Sequence, residues 1–167
     1  LKAALRRLKE GKCGHVIPEV QSNLGYALPG ARGIEEVAAV PGRIIRMGDE
    51  VATLCEPAFG ASSHIAKVIL TVLRYNSDYR AAMNIRFSED IVKICQALGY
   101  DIAHFSRAGE PPEMKEKEGS SLEWGTETVL AKREKVPDII FDRGDVGKEP
   151  MIRVLGKDPH DVVDKVL

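Results

Sequence analysis

The hydrophobic positions change period along the chain. Short strand-like runs punctuated by glycine and proline dominate residues 21–54, and strands alternate with amphipathic helices after them. We predict strands at 21–28, 37–40, 43–46, 51–54, 82–87, 100–105, 138–141 and 151–155. We predict helices at 1–12, 65–73, 77–81, 88–98, 122–133 and 159–167. Strands alternating with helices indicate an α/β fold.

Two local patterns predict how these elements pack. Ile91, Ile94, Cys95 and Leu98 follow the i, i+3, i+4, i+7 spacing of a single buried helix face. Gly25 interrupts the first strand, where a glycine often marks a bulge or the close approach of a ligand.

The polar stretch 108–121 predicts an exposed loop or short surface helix rather than a site.

The segment Gly60–Lys67 combines a helix start with groups that bind anions. Ser62 or Ser63 can cap the helix, because a serine hydroxyl accepts a hydrogen bond from the free N–H groups of the first turn. Those N–H groups and the positive end of the helix dipole attract phosphate. His64 lies in the same turn, so the segment predicts a phosphate or diphosphate cradle. The alternative is an ordinary capped helix whose histidine faces solvent.

Arg43 and Arg46 lie an odd number of residues apart in a predicted strand. A regular strand directs such residues to opposite faces, so one arginine should point into the protein or its cleft. A buried arginine needs an anionic partner. That partner is either a ligand or one of the acidic side chains in a structural salt bridge.

Composition narrows the class of protein. The 167 residues suggest one domain, and the net charge of −1, from 24 basic and 25 acidic residues, argues against nucleic-acid binding. No apolar run is long enough to span a membrane. Cys13, Cys55 and Cys95 are scattered, with no C-x-x-C pair, which disfavours a zinc ribbon or a disulfide framework. We therefore expect a reducing, cytoplasmic compartment.

The remaining candidate residues favour a phosphorylated small molecule. No H-E-x-x-H metal pattern and no G-x-S-x-G elbow occurs. Side chains suited to anions recur along the chain: Arg43, His64, Arg86 and Lys148. A second group consists of acids that could hold Mg²⁺ or a ligand amine: Asp142, Asp145 and Glu149.

Several segments, taken in order, resemble the ThiN-type thiamine-phosphate synthase domain. They are 15–20 (HVIPEV), 22–28 (SNLGYAL), 41–44 (PGRI), 59–64 (FGASSH), 82–86 (AMNIR) and 142–153. The resemblance implies a transferase that joins hydroxymethylpyrimidine diphosphate to hydroxyethylthiazole phosphate, giving thiamine phosphate and diphosphate. It also implies a three-layer α/β/α fold with a mixed, largely antiparallel sheet, similar to class II aldolases.

The same resemblance implies roles for individual residues. The catalytic pair of the family is an arginine and a histidine, which fall on Arg43 in Pro-Gly-Arg-Ile and on His64 in Ala-Ser-Ser-His. The other expected substrate contacts are Gly60, Ser62, Ser63, Asn84, Arg86, Asp142, Asp145 and Lys148. No protein-bound metal and no organic cofactor is implied, although Mg²⁺ could accompany the substrate diphosphate.

Domain context follows from the resemblance as well. The synthase domain would occupy 13–167, and residues 1–12 would form a linker helix from an upstream hydroxymethylpyrimidine kinase domain. A homodimer is one option, whereas contact with nucleic acid or membrane through this domain is not expected. Two alternatives stay open: a thiamine-phosphate sensor behind a DNA-binding domain, and an aldolase-like metalloenzyme. Arg43 and His64 favour the synthase, and the scattered histidines disfavour the metalloenzyme.

Overall fold

A seven-stranded sheet organises the structure, a computed structural model that describes residues 1–111 and 120–167. Its strands are β1 (Leu24–Ala27), β2 (Val37–Ala39), β5 (Ala58–Phe59), β6 (Ala81–Arg86), β7 (Ile102–His104), β8 (Ile139–Asp142) and β9 (Met151–Gly156). The order is β5-β2-β1-β6-β9-β8-β7, and only β7 and β8 pair in parallel. Strands β3 (Ile44–Met47) and β4 (Glu50–Thr53) form a separate antiparallel hairpin.

Helices cover both faces of the sheet. They are α1 (Lys2–Glu10), α2 (Ser63–Leu73), α3 (Glu89–Ala97), α4 (Ser120–Leu130) and α5 (Pro159–Val166), with 3₁₀ turns at Gly14–Val16, Ile34–Glu36 and Arg107–Gly109. Apolar residues of α1, α3 and α5 join one core, and those of α2 and α4 join the other. The expected three-layer α/β/α fold with a mixed, largely antiparallel sheet is therefore confirmed.

The inner strands are apolar on both faces because both faces are covered. In β8, Ile139 and Phe141 enter one core, while Ile140 between them enters the other. All six residues of β9 are buried, including the charged Arg153. A charged side chain inside such a strand needs a polar partner, and the partner lies at the end of the sheet described below.

The predicted helix at 77–81 is wrong. The chain makes a turn there, in which the side-chain Oδ1 of Asn76 accepts a hydrogen bond from the backbone N–H of Asp78 at 2.9 Å. Asparagine and aspartate offer the backbone such local bonds in competition with a helix. A segment of five residues is also too short to offset the cost of starting a helix.

The buried face of α3 differs from the predicted one. Val92 and Cys95 are buried and Ile91 is partly buried, but Ile94 is 59% and Leu98 is 65% exposed. Val92 and Cys95 are also three residues apart, so the spacing alone permits either stripe. The side that meets the sheet decides between them.

Helix α1 packs against this domain. Ala4, Leu5 and Leu8 are buried in the same core as residues of α3 and α5, and Arg7 donates to Asp164 at 2.6 Å. Its basic residues face solvent, as an amphipathic pattern requires. The helix predicted for 1–12 therefore belongs to the core of this domain, and its role as a linker stays a prediction. A boundary with an upstream domain stays a prediction.

Gly25 marks a close approach, but of a helix rather than a ligand. A Cβ atom added at Gly25 would lie 2.8 Å from Cδ1 of Ile69 and 2.9 Å from Cγ2 of Ile65. Both isoleucines belong to α2, which crosses β1 at this point. The absence of a side chain therefore sets how closely α2 packs on the sheet.

Candidate active site

A groove of about 590 Å³ opens at one end of the sheet. Pairing brings the starts of β1 and β9 and the ends of β2, β6 and β8 to this same edge. The N-terminal turn of α2 also lines the groove. The predicted site residues that line it are Arg43, Ser62, Ser63, His64, Asn84 and Lys148. Residues far apart in sequence thus meet because the sheet gathers the ends of its strands.

The start of α2 forms one wall of the groove. The Oγ of Ser62 accepts a hydrogen bond from the N–H of Ile65 at 3.5 Å, which confirms the predicted cap. Ser63 and His64 are exposed and line the groove. Gly60 does not, since it lies before the helix and donates its N–H to the carbonyl of Val37 at 3.1 Å.

Arg43 lies just before β3 in an unusual backbone conformation. Its φ is +70°, and Nη1 donates to the carbonyl oxygen of Val20. Both Arg43 and Arg46 are exposed, so of the two expected places for one arginine, the protein interior and its cleft, Arg43 occupies the cleft. Arg43 begins outside the regular strand, where side chains no longer alternate between faces. It lines the groove, whereas Arg46 donates to the carbonyl of Gly48 at 2.9 Å.

Segment 20–23 forms the floor beside Arg43. The side chain of Asn23 accepts from the N–H of Val40 and donates to its carbonyl, both at 2.9 Å. The Oδ1 of Asn84 accepts from the N–H of Asn23 at 2.8 Å, and its Nδ2 donates to the carbonyl of Gln21 at 3.0 Å. The amide of Asn84 is thus engaged in holding this segment. It supports the groove as well as lining it.

Backbone strain is concentrated at the groove. Among the described residues, the non-glycine residues in the left-handed region are Lys12, Gln21 and Arg43, and the last two line the groove. Such conformations cost roughly 1–3 kcal/mol each and persist where surrounding contacts enforce them. The hydrogen bonds of Asn84 and Arg43 provide those contacts.

Glu149, in the loop between β8 and β9, holds the same segment through hydrogen bonds. Its Oε1 accepts from the N–H of Glu19 at 3.0 Å and its Oε2 from the N–H of Val20 at 3.1 Å. Because Arg43 binds the carbonyl of Val20, one chain of hydrogen bonds links Glu149 to the position of Arg43. The carboxylate is therefore a structural brace.

A buried cluster of two arginines and one aspartate lies beneath the groove. Arg107 donates to Asp142 through Nε at 2.7 Å and Nη2 at 3.3 Å, and Arg153 donates through Nη1 at 2.7 Å. The exposed fractions are 7% for Arg107, 2% for Arg153 and 0% for Asp142. Burial would raise the pKa of Asp142, but Arg153 and Arg107 outweigh it and hold that pKa below its ordinary value.

The remaining predicted contacts separate into two groups. Asp142 lies outside the groove lining, because its carboxylate binds the two arginines and the N–H of Gly144. Arg86 and Asp145 are exposed and also lie outside the lining. Lys148 is in the groove, where its Nζ donates to Ser121 at 2.9 Å and lies 3.5 Å from a carboxylate oxygen of Glu110.

Ser121 corrects the prediction that 108–121 holds no site residue, since it lines the groove at the start of α4. Residues 112–119 of that stretch lie outside the described part of the chain.

The acids do not assemble a protein metal site. Within residues 1–111 and 120–167, no three His, Cys, Asp or Glu side chains converge on one point. Asp142 is committed to arginines and Glu149 to backbone N–H groups. The expected grouping of Asp142, Asp145 and Glu149 around Mg²⁺ therefore does not fit these side chains.

The charges on the groove wall favour an anionic ligand. Among the described residues, four permanent cations line it: Arg43, Arg107, Lys148 and Arg153. Glu149 is the acidic residue on the described part of the lining, and its oxygens already accept backbone hydrogen bonds. The groove can therefore hold phosphate oxygens with arginine forks, a lysine and the N–H groups of α2.

Arg107 and Arg153 escaped the sequence-based prediction of the site. Arg153 carried a usable signal, because a charged residue stood inside the apolar run Met151–Leu155. The reasoning applied to Arg43 and Arg46, that an arginine in a strand can be buried with an acid, was valid for β9 instead. Arg107 follows β7 in an irregular segment and offered no comparable signal.

Comparison with known proteins decides the family. A family model described as "Thiamine-phosphate synthase ThiN" matches residues 1–167. The chain belongs to the ThiN family. The resemblance carried by Pro-Gly-Arg-Ile, Ala-Ser-Ser-His and the other segments is thereby confirmed.

Two relatives differ in how much of their length the domain occupies. The chain is 40% identical over 151 residues to "Thiamine-phosphate synthase ThiN" of Methanothermobacter thermautotrophicus, covering 90% of this chain and 80% of that protein. It is 44% identical over 153 residues to "Bifunctional thiamine biosynthesis protein ThiDN" of Methanocaldococcus jannaschii. There it covers 90% of this chain and 35% of the relative, which therefore contains a large further region.

Solved structures agree with the fold. A crystal structure of the C-terminal domain of phosphomethylpyrimidine kinase is 41% identical, with a TM-score of 0.91, covering 98% of this chain and 92% of that one. L-fuculose-1-phosphate aldolase from Thermus thermophilus is 13% identical, with a TM-score of 0.51, covering 99% of this chain and 87% of that one. The latter shows the fold alone and confirms the expected aldolase-like architecture. None of the helices in the described ranges has the length and apolar character to cross a membrane.

Proposed function

We propose that the groove joins hydroxymethylpyrimidine diphosphate to hydroxyethylthiazole phosphate, releasing thiamine phosphate and diphosphate. Membership of the ThiN family makes the chain a thiamine-phosphate synthase, a transferase. The observation that carries the assignment to this groove is the meeting of Arg43 and His64. They lie 21 residues apart along the chain, yet both line one cavity that has an excess of cationic side chains.

The chemistry requires positive charge more than a strong base. The thiazole nitrogen attacks the methylene carbon of the pyrimidine while the bond from that carbon to the diphosphate oxygen breaks. The attacking nitrogen carries no proton, so none has to be removed. Negative charge accumulates on the departing diphosphate, and fixed cations and N–H donors stabilise it in the transition state.

Arg43 is suited to grip the diphosphate. Its Nη1 is held by the carbonyl of Val20, and no other described residue accepts a hydrogen bond from it. Nε and Nη2 therefore remain for phosphate oxygens in a fork geometry that lysine lacks. The positive φ and the hydrogen bond fix where the fork starts before substrate arrives.

His64 and the first turn of α2 would stabilise the same leaving group. An imidazole can donate a hydrogen bond or a proton to the departing oxygen. The free N–H groups of the first helical turn, with Ser62 and Ser63 beside them, add donors and the positive end of the dipole. Losing one such donor typically costs about 10²–10³ in kcat.

The wider context is inferred in the same way. We expect Mg²⁺ to enter bound to the substrate diphosphate, and we expect no organic cofactor. A kinase domain upstream in the same polypeptide is supported by the bifunctional relative, of which this chain covers only 35%. The exposed free thiol of Cys55 suits a reducing, cytoplasmic compartment. A homodimer remains a prediction for measurement in solution.

The test is a synthase assay with matched variants. Purified protein, both substrates and Mg²⁺ should yield thiamine phosphate and diphosphate in equal amounts. Arg43→Ala and His64→Ala should each lower kcat by about 10²–10³. Arg46→Ala, the other arginine of the same hairpin, and His160→Ala in α5 should retain activity, because neither residue lines the groove.

Two results would contradict the proposal. Near-full activity of both Arg43→Ala and His64→Ala would remove the reaction from this groove. Tight binding of thiamine phosphate without any turnover by the parent protein would favour the sensor alternative.

A further inference from the structure

The proposed reaction uses two phosphorylated substrates, so one anion-binding wall is not enough. Arg43 and the start of α2 account for one phosphate-bearing group. The phosphate group of the other substrate needs a second set of cationic side chains, and an assignment of that set rests on the proposed function.

Arg107 and Arg153 lie on elements that carry neither Arg43 nor His64. Arg107 follows β7, Arg153 belongs to β9, and both line the groove although they are almost fully buried. The two guanidinium carbons lie 5.8 and 5.4 Å from the centre of the Phe105 ring. Asp142 and this ring therefore fix both forks in one place.

Among the described residues, this cluster holds more cationic than acidic side chains. The cations are Arg107, Arg153 and Lys148, and the carboxylates paired with them are Asp142 and Glu110. Three cationic side chains thus face two acidic ones in the described part of the chain, and both acid side chains are fully buried. Buried net charge is unfavourable unless a counter-charge arrives. An anion in the groove would supply it.

The hydrogen-bond donors point to the same conclusion. Arg107 uses Nε and Nη2 on Asp142, and Arg153 uses only Nη1, on Asp142 and the carbonyl of Met151. Nη1 of Arg107 and Nε and Nη2 of Arg153 therefore donate to no residue in the described part of the chain. Because both arginines line the groove, these nitrogens can donate to a ligand bound there. Phosphate oxygens match the geometry of guanidinium donors.

We propose that Arg107 and Arg153, oriented by Asp142 and assisted by Lys148, form a second phosphate-binding subsite of the groove. Its ligand is a phosphate monoester or diphosphate group, which each of the two substrates carries. A brace that only tied the strand ends together would need no excess cation and no spare donors. The subsite would also place the substrate it binds against the one held by Arg43.

Steady-state kinetics on Arg107→Gln separates binding from structure. We expect KM to rise about 10- to 100-fold for one of the two substrates, because a hydrogen bond to a charged group is removed. KM for the other substrate should change less than about threefold. A rise confined to the thiazole phosphate assigns the subsite to the monophosphate, and one confined to the pyrimidine assigns it to the diphosphate. Arg107→Lys should recover part of the loss.

The control is Arg80→Gln. Arg80 is also partly buried and lies 4.7 Å from the centre of an aromatic ring, that of Tyr26, but it precedes β6 at the end of the strand away from the groove. It should lower thermal stability without changing either KM. If Arg107→Gln behaves like this control, the subsite does not exist.

Binding of inorganic phosphate tests the subsite without catalysis. Phosphate should raise the Tm of Arg43→Ala, and Arg107→Gln in that background should reduce the rise several-fold, since the start of α2, Arg153 and Lys148 then remain as donors. If Arg107→Gln does not fold, Lys148→Met, at a half-buried position on the groove wall, replaces it. An unchanged phosphate response in either double variant would overturn the proposal. A protein without synthase activity that still shows the Arg107-dependent response would refute the reaction and leave the subsite standing.

Discussion

Gly25→Ala offers a quantitative test of how the sheet positions the start of α2. The new Cβ would lie 2.8 Å from Cδ1 of Ile69 and 2.9 Å from Cγ2 of Ile65, and both side chains are buried. Ordinary carbon–carbon contacts lie near 3.5–4.0 Å, so α2 must shift or its side chains must leave their rotamers. His64 precedes Ile65 directly, so a shift of the helix would move a wall of the groove.

The magnitude follows from two opposing effects. Adding a carbon to a packed core typically costs about 1–3 kcal/mol. Replacing glycine by alanine recovers about 0.5–1 kcal/mol, because the unfolded chain loses freedom. We therefore expect a net loss of roughly 1–2 kcal/mol in the free energy of unfolding. For a chain of this size the Tm should fall by about 2–8 °C.

Urea denaturation of a mutant cycle measures the contact itself. Ile69→Val removes Cδ1, the atom closest to the new Cβ, and should cost about 0.5–1.5 kcal/mol alone. The double variant Gly25→Ala/Ile69→Val should be more stable than the sum of the two losses predicts, by about 1 kcal/mol. Gly109→Ala is the control, because the nearest atom of the described residues to its Cβ would be a carbon of Trp124, at an ordinary 3.8 Å.

Strict additivity, or a Gly25→Ala variant as stable as the parent, would refute the reasoning. The same samples should show a lower kcat in Gly25→Ala than in Gly109→Ala. Recovery of kcat in the double variant would tie that loss to the displacement of α2.

Three further predictions concern charge, positioning and thiol reactivity. Asp142→Asn should lower the free energy of unfolding by about 3–5 kcal/mol at neutral pH, because it leaves two buried arginines without a carboxylate. The folded-state pKa of Asp142 is lowered, so its ionised carboxylate contributes fully to the free energy of unfolding above about pH 4, and this contribution is lost as the pH falls further. The urea midpoints of parent and variant should therefore converge in acid. A difference between the midpoints that stays constant with pH would contradict this. Glu149→Gln should raise KM for the substrate that Arg43 grips while Tm falls only slightly, because the side chain keeps only one of the two oxygens that accept from the N–H groups of Glu19 and Val20. Unchanged kinetics would show that Glu149 does not position Arg43. A thiol reagent should modify exposed Cys55 rapidly and Cys13 and Cys95 slowly, because burial raises the pKa of both thiols; mass spectrometry that finds Cys13 modified first would contradict the packing of that region.

Local signals in the sequence were sufficient for the ends of several elements. Ser62 caps α2 as predicted, and Ser88 accepts from the N–H groups of Asp90 and Ile91 at 3.2 and 3.4 Å at the predicted start of α3. Capping depends on a few neighbouring residues, so it can be predicted from the sequence without knowledge of the fold. The apolar runs that became β6 and β9 were equally clear.

The floor of the groove depends on contacts that no local pattern contains. Arg107, Asp142 and Arg153 come from three segments that meet only when β7, β8 and β9 pair. The family resemblance implied that Asp142 is a substrate contact, and its residue type suggested a ligand for Mg²⁺ or an amine. Burial reverses that interpretation, since the carboxylate is enclosed by the arginines that line the groove in its place.

The packing of α1 on α5 has a consequence for the order of folding. Helix α1 leaves the ribosome well before α5, yet its buried residues share a core with Val162 and Val163 of α5. Contacts so distant in sequence form late, and an apolar surface without its partner invites aggregation meanwhile. A nascent chain stalled before residue 159 should therefore leave α1 sensitive to protease, and synthesis of α5 should protect it. The packing surface of α1 would thus stay uncovered until α5 is made.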